Sequence, residues 1–129
     1  MLRKLSKYDL PNAKLICKDC EILVQIANTP RSREKGLSGV DFLSENEGML
    51  FDFEIPQYIS LWMPNMSFDL SVAFIDTFGT IVDLQDMFKD QPNIVHTSSV
   101  PAQYALEVNL GFFEKNNIRV GDTVFLLSK

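Results

Sequence analysis

The segment LWMPNMSFDLSVAFID, residues 61–76, contains the clearest strand pattern in the chain. Because successive side chains of a strand point to opposite faces, one face is apolar and consists of Phe68, Leu70, Val72 and Phe74. The other face is small and mildly acidic and consists of Asp69, Ser71, Ala73 and Ile75. We expect the first face to lie in the core and the second to face solvent or the wall of a shallow pocket.

The loop before this strand combines the single tryptophan of the chain with a Pro-Asn pair. One interpretation is structural: Trp62 and Met63 pack in the core, and Pro64-Asn65 forms a turn. The other is functional, since ligand pockets combine aromatic walls with a few polar groups. The structural interpretation predicts mostly buried side chains at Phe51, Trp62, Leu70, Phe74 and Leu106.

Short apolar segments separated by turn residues extend the strand pattern in both directions. The segments AKLIC and EILVQIA predict a hairpin around Lys18-Asp19, and GMLFDF, QYISLWM, TIVDLQDMF, QYALEVN and VFLL predict further strands. Thr29 and Gly36 are suited to begin and end a short helix, LGFFEKNN predicts one helical turn, and Gly79 suits a tight hairpin. The predicted fold is mainly β (α+β), a compact antiparallel or mixed barrel-like sheet of six to eight strands with one or two short helices.

Length and composition limit the classes of function. The 129 residues, 46% hydrophobic and 22% charged, predict a single globular domain over residues 1–129. No apolar run approaches the ~20 residues of a membrane helix, and no secretory signal is visible, so we expect a cytoplasmic protein without membrane contact. The net charge of −5 argues against nucleic acid as a partner, and the basic cluster Arg31, Arg33 and Lys35 predicts a solvated helix face.

The two cysteines form one C-x-x-C pair, Cys17 and Cys20. A structural zinc needs four ligands, and the chain has one histidine and no second cysteine pair. Redox motifs of this type open a helix, whereas this pair spans a predicted hairpin turn. We therefore predict two ordinary thiols, no metal and no cofactor, and we expect the double replacement by serine to leave folding largely intact. Whether the thiols pair is left open.

Two further residues are candidates for acid–base chemistry. His96 lies in a polar loop, where simple solvent exposure is the first expectation; as a general base it would need an orienting neighbour such as Glu107 or Asp76. Glu107 alternates with apolar residues in QYALEVN. It is either on the wet side of an edge strand or a carboxylate that shares a pocket with Asp76 and Asn65.

The ordered blocks ANTPRSREKGLSG, GMLFDF, WMPNM, AFIDTFG, YALEVNLG and IRVGD resemble domain of unknown function 192 (DUF192) over about residues 22–125. The resemblance implies a compact β-rich domain without an established activity, in which Trp62, Asn65, Asp76 and Glu107 are family positions. Ser38 and Val40 stand where the family usually has Met and Arg. Around the Trp62 loop the chain departs from the family at four further positions: Pro64 stands where the family has Lys, Met66 where it has Thr, Asp69 where it has Pro, and Ser71 where it has Asp. These changes remove three polar side chains of a possible site, which Asp69 could partly replace.

We therefore favour a non-enzymatic module that binds a small ligand or a protein through the Trp62–Asn65 loop and the adjacent sheet face. The expected binding residues are Trp62, Asn65, Ser71, Asp76 and Glu107. The alternative is a hydrolase-like enzyme whose acid–base groups are Asp76, Glu107 and either His96 or Asp69. A third possibility is an assembly protein that uses the apolar loop as a contact patch.

Overall fold

The computed structural model describes residues 10–128, which form mostly β-structure with two short helices. The strands are β1 (Asn12–Cys17), β2 (Cys20–Ala27), β3 (Glu47–Gln57), β4 (Ser60–Leu61), β5 (Leu70–Ile75), β6 (Ile81–Met87), β7 (His96–Thr97), β8 (Ala102–Asn109) and β9 (Phe125–Ser128). The helices are α1 (Pro30–Lys35) and α2 (Phe112–Lys115). Within residues 10–128 no helix has the length and apolar character that a membrane span requires.

Seven strands form one mixed sheet in the order β6-β5-β8-β3-β2-β1-β9, and β4 pairs with β7 in a separate ribbon. All neighbours in the large sheet are antiparallel except β2 and β3, which run parallel because the connection through α1 crosses over the sheet. The predicted mainly β, mixed sheet is confirmed. The edge strands approach each other at a bridge between Thr80 and Thr123, but the sheet does not close into a barrel.

Local sequence signals determine the first hairpin and the first helix. β1 and β2 pair so that Cys17 lies opposite Cys20. At the start of α1, Thr29 Oγ1 accepts the Ser32 N–H at 3.1 Å, and Ser32 Oγ accepts the Thr29 N–H at 3.0 Å. The helix ends at Gly36, whose φ of 49° is disfavoured for residues with a side chain. The predicted hairpin and helix boundaries are confirmed.

The large sheet carries a hydrophobic cluster on each face. The first cluster includes Phe51, Met63, Val72 and Phe74, and the second includes Ala73 and Ile75 together with residues of α2. Strand β5 lies between β6 and β8, and all six of its residues are buried. Of the two expectations for this face, exposure of Ser71, Ala73 and Ile75 to solvent is wrong, because α2 and its flanking residues cover it. Ser71 instead lines a cavity on that side.

The prediction of buried side chains is confirmed for Phe51, Leu70, Phe74 and Leu106 but is wrong for Trp62, which is 57% exposed. Its neighbours Leu61 and Met63 are buried, so the Trp62 side chain points away from the core between two residues that point into it. The loop thus anchors itself through Leu61 and Met63 and leaves the indole at the surface.

The cysteine pair occupies the closed end of the β1–β2 hairpin. Both residues are free thiols; Cys17 is buried and Cys20 is half-buried. Burial is the main cause that raises the pKa of the Cys17 thiol to about 11, which keeps it protonated and unreactive at neutral pH. Among residues 10–128, no group of three or more His, Cys, Asp or Glu side chains is arranged to hold a metal.

We expect Cys20→Ser to change the free energy of unfolding by less than about 0.5 kcal/mol and Cys17→Ser to reduce it by about 1–3 kcal/mol. Cys17 is only 1% exposed within the second cluster, so the new hydroxyl would be buried among apolar groups. Urea denaturation followed by far-UV circular dichroism measures both. Equal effects of the two substitutions would contradict this account and would support the expectation that both thiols are interchangeable with serine.

Candidate functional site

A cavity of about 240 Å³ lies between α1 with its following loop and the segment 60–66, above the first hydrophobic cluster. We call it the Glu107 cavity. Its lining comprises Arg33, Glu34, Lys35, Gly36, Leu37, Ser38, Phe51, Phe53, Ser60, Leu61, Trp62, Met63, Pro64, Met66 and Glu107. The structure thus brings Trp62 and Glu107, two of the sequence-predicted site residues, to one concave region.

The two loops that form the cavity walls are hydrogen-bonded to each other. Ser38 Oγ donates to the Pro64 carbonyl at 3.1 Å, and the Gly39 N–H donates to the Asn65 carbonyl at 3.2 Å. Asn65 adopts a left-handed conformation with φ of 58°, which asparagine tolerates better than most residues. Asn65 therefore shapes the wall through its backbone, although the lining comes from its neighbours Pro64 and Met66.

Glu107 lies on a central strand rather than an edge strand, since β8 is flanked by β3 and β5. It pairs with Met49 on one side and Val72 on the other, and these neighbours place its side chain on the face of the first cluster. The residue is only 5% exposed. The expectation of a wet edge position is therefore wrong.

The environment of Glu107 changes its protonation state. Within residues 10–128, its carboxyl has neither a hydrogen-bond partner nor an ion-pair partner. Burial raises its pKa to about 8, so at neutral pH the group is mostly an uncharged acid. In that form the carboxyl can donate one hydrogen bond and accept others, and it faces the cavity.

Helix α1 contributes the cations of the cavity. Arg33 Nη1 donates to the Asp52 carbonyl at 2.9 Å, and the guanidinium carbon lies 5.3 Å from the centre of the Phe53 ring. Lys35 Nζ donates to the Ser38 carbonyl. Of the basic cluster predicted as a solvated face, only Arg31 is fully exposed, because Arg33 and Lys35 lean over the cavity.

Two carboxylates proposed as acid–base groups accept hydrogen bonds from backbone N–H groups instead. Asp76 Oδ1 accepts the N–H groups of Phe78 and Thr80, both at 2.9 Å, and so stabilises the β5–β6 turn. Asp69 Oδ1 accepts the Lys89 N–H at 2.8 Å. Neither residue lines the Glu107 cavity, so the structure does not bring Asp76 together with Glu107.

Ser71 lies on the opposite face of β5. Its hydroxyl donates to Asp86 Oδ1 at 2.8 Å and accepts the Gly111 N–H at 3.0 Å, which fixes the start of α2 against the sheet. It lines a different cavity, of about 550 Å³, together with residues of β6 and α2. The structure therefore separates Ser71 from Trp62 by the thickness of the sheet.

His96 is half-buried, not solvent-exposed as predicted, because β7 pairs with β4 and sets His96 opposite Leu61. Its Nε2 atom is shielded from solvent and has no hydrogen-bond partner in the described part of the chain. His96 is not among the residues that line the Glu107 cavity. The acid–base set of Asp76, His96 and Asp69 is therefore not assembled around Glu107.

The α1 side of the cavity was not recognised from the sequence. Arg33 reaches the cavity because the β2–α1–β3 crossover carries α1 over the sheet, and Phe51 and Phe53 of β3 complete that side of the lining. The crossover is a long-range feature, and the sequence indicated only a capped helix between two strands. A signal was present in the spacing of that helix between β2 and β3, which is long enough for a parallel connection.

Comparison with known proteins identifies similarity over nearly the whole chain. The DUF192 family, described as Uncharacterized ACR, matches residues 15–126. A crystal structure from Sinorhizobium meliloti 1021, of a protein provisionally described as a transcription regulator, has a TM-score of 0.87 and 25% identity and covers 91% of this chain and 95% of its own. A protein of unknown function from Novosphingobium aromaticivorans DSM 12444 has the same fold, with a TM-score of 0.84, 22% identity and coverage of 89% and 85%. No curated protein matches the chain.

Proposed function

This chain belongs to the DUF192 family, and on that premise we propose that it is a non-enzymatic domain that binds a small ligand in the Glu107 cavity. The observation that carries the proposal is the carboxyl of Glu107, which is buried, lacks a partner within residues 10–128 and faces the cavity. Its carboxyl oxygens are not among the side-chain atoms that are shielded from solvent without a partner, so they open into the cavity, where a ligand can reach them. A bound ligand could supply the partner that the described residues do not.

The geometry of the cavity supports ligand binding in two ways. Trp62 stands at the cavity with more than half of its surface exposed, so a ligand could cover it without rearranging the core. The hydrogen bonds from Ser38 and Gly39 to the Trp62–Asn65 loop hold the opposite walls in place before a ligand arrives. A preformed site avoids the entropic cost of ordering a loop during binding.

The hydrolase-like alternative has less support. It requires Asp76, with His96 or Asp69, to act together with Glu107, and none of these three residues lines the Glu107 cavity. The other ionisable residues of the lining, Arg33, Glu34 and Lys35, all belong to the surface helix α1. In addition, Pro64, Met66 and Ser71 occupy positions where the family resemblance implies polar groups able to assist a reaction.

We expect a screen of small anionic, neutral and cationic organic compounds to yield ligands that raise the melting temperature and change Trp62 fluorescence. At a ligand concentration 100 times the dissociation constant, stability increases by about 2.7 kcal/mol, which corresponds to roughly 10 °C for a domain of this size. Because Trp62 is the single tryptophan, the fluorescence change reports on this cavity.

The matched variants are Glu107→Met, which keeps a similar volume but removes the polar group, and Ser71→Ala, which alters the cavity on the other face. Ligands found in the screen should bind Glu107→Met at least tenfold more weakly, since about 1.4 kcal/mol is tenfold in affinity. Ser71→Ala should leave binding unchanged. The proposal is overturned if no compound of any charge class changes Trp62 fluorescence, or if Glu107→Met binds the ligands as tightly as the wild type.

A further inference from the structure

The charges around the Glu107 cavity favour an anionic ligand. Its lining contains two cations, Arg33 and Lys35, and one anion, Glu34, while Glu107 is mostly uncharged at neutral pH. Arg33, which forms no ion pair with the described residues, thus supplies a positive charge at the cavity of a protein whose net charge is −5. A positive site on an acidic protein attracts anions to that position and disfavours cations.

The Arg33 side chain is held in place at the cavity. The contact of its guanidinium with Phe53 and the hydrogen bond from Nη1 to the Asp52 carbonyl fix the side chain, and these contacts use only one of its five N–H donors. No ion pair between residues of the described chain involves Arg33. The planar guanidinium can donate two parallel hydrogen bonds to the two oxygens of a carboxylate.

Glu107 forms a second polar point of the lining, on β8 rather than on α1. Apolar side chains line the space between the two points, including Phe51, Leu61 and Met63. The cavity thus offers cationic donors from α1, an apolar middle and an O–H donor on β8.

We infer that the ligand is a small organic carboxylate with a second hydrogen-bond acceptor, such as a carbonyl, at its other end. This inference rests on the proposed function. The carboxylate of the ligand pairs with Arg33, and the apolar body of the ligand contacts Phe51 and Met63. The carbonyl of the ligand accepts a hydrogen bond from the O–H of the Glu107 carboxyl. A cavity of about 240 Å³ is at the low end for small-molecule sites, so the ligand is a small molecule.

The affinity for such an anion depends on pH in a defined direction. Glu107 must hold its proton to donate a hydrogen bond, so affinity falls as the pH rises through a pKa of about 8 and a negative charge develops beside the ligand. The other ionisable groups that face this region are Arg33, Glu34 and Lys35 on α1 and Glu47 on β3. Strand β5 and the segment 60–66 contribute no ionisable side chain. A cationic ligand would show the opposite slope.

The test uses straight-chain 4-, 5- and 6-oxo carboxylates of five to eight carbons, titrated against the full chain and followed by Trp62 fluorescence and calorimetry. Matched probes of equal length are carboxylates without the oxo group and oxo amines without the carboxylate, whose nitrogen is trimethylated so that it cannot condense with the carbonyl. We expect the best oxo carboxylate to bind at least tenfold more tightly than either matched probe at pH 6.5. Its affinity should fall at least fivefold between pH 6.5 and pH 9.

Two variants separate the contacts. Glu107→Gln keeps an N–H donor but never ionises, so its affinity should stay within about threefold of the wild type at pH 6.5 and remain constant up to pH 9. Arg33→Met should weaken oxo carboxylates at least tenfold and leave oxo amines unaffected, with circular dichroism confirming the fold.

The outcomes distinguish this inference from the proposed function. If oxo amines or uncharged compounds bind and lose affinity in Glu107→Met, the ligand class is wrong but the cavity is still a binding site. If no probe and no compound of the broader screen binds, both fail. If the affinity for oxo carboxylates rises with pH, the inference about Glu107 is overturned. If that affinity is unchanged in Arg33→Met, the inference about Arg33 is overturned.

Discussion

Phe74→Ala is expected to lower the free energy of unfolding by about 3–5 kcal/mol, a large share of the 5–15 kcal/mol typical of a domain. Phe74 is 0% exposed in the first hydrophobic cluster, and β5 carries it between β6 and β8 in the sheet. Removal of the ring leaves a cavity that the paired strands cannot collapse to fill. Urea denaturation followed by far-UV circular dichroism measures the loss.

The matched control is Phe78→Ala, four residues further along in the turn after β5. Phe78 is 87% exposed, so its replacement should change stability by less than about 0.5 kcal/mol. The same chemical change is thus made at two neighbouring positions that differ in burial. An unchanged denaturation midpoint in Phe74→Ala, or an equal loss in Phe78→Ala, would show that this face of β5 does not form the core.

The alternation of residue types was sufficient to locate β5 and its apolar face but not to describe its other face. Ser71 and Ala73 are small, and in isolation small residues are compatible with solvent. In the structure their size allows α2 to pack closely on the sheet, with Ser71 Oγ accepting the Gly111 N–H. Burial of the second face depends on α2, which lies about 40 residues further along the sequence. The alternation of residues within one strand does not predict such a long-range contact.

Local sequence patterns also did not predict the parallel direction of β2 and β3. Short turns between apolar segments predict antiparallel neighbours, and this holds for β1–β2 and β5–β6. The parallel pairing of β2 with β3 arises from the intervening segment that contains α1. This crossover places Arg33 over the cavity. Because the sequence patterns did not predict the crossover, they did not predict the α1 side of the candidate site either.

The candidate site residues differed in how much their local sequence revealed. Glu107 was noticed because a carboxylate alternates there with apolar residues, and it proved to be buried. Asp76 was assigned to the same pocket, although the sequence DTFGT already contained the signal of a turn closed by an aspartate side chain. The hydrogen bonds from Phe78 and Thr80 show that this turn chemistry determines the role of Asp76 in the fold.

The stability of the wild-type protein is expected to fall as the pH rises from about 5 to 8, because of Glu107. Burial raises its pKa from 4.5 in the unfolded chain to about 8 in the fold, so the folded state binds the proton more tightly. Its favourable contribution is complete below pH 4.5 and is lost as the pH rises through 8. Since each pKa unit corresponds to about 1.4 kcal/mol, the total loss is of the order of 5 kcal/mol.

Glu107→Gln removes the ionisable group while keeping its shape, so the variant should lose this pH dependence and exceed the wild type in stability above pH 7. Urea denaturation at pH 5, 6, 7 and 8 measures the slope of stability with pH. The control Glu114→Gln changes an exposed glutamate of α2 and should retain the wild-type slope. A slope that persists in Glu107→Gln would mean that another group causes the pH dependence. A wild-type stability that is constant or increases between pH 5 and 8 would mean that Glu107 is ionised in the fold. Glu107 would then need a cationic partner, and the cavity would lose the hydrogen-bond donor on which the proposed recognition of an oxo carboxylate depends.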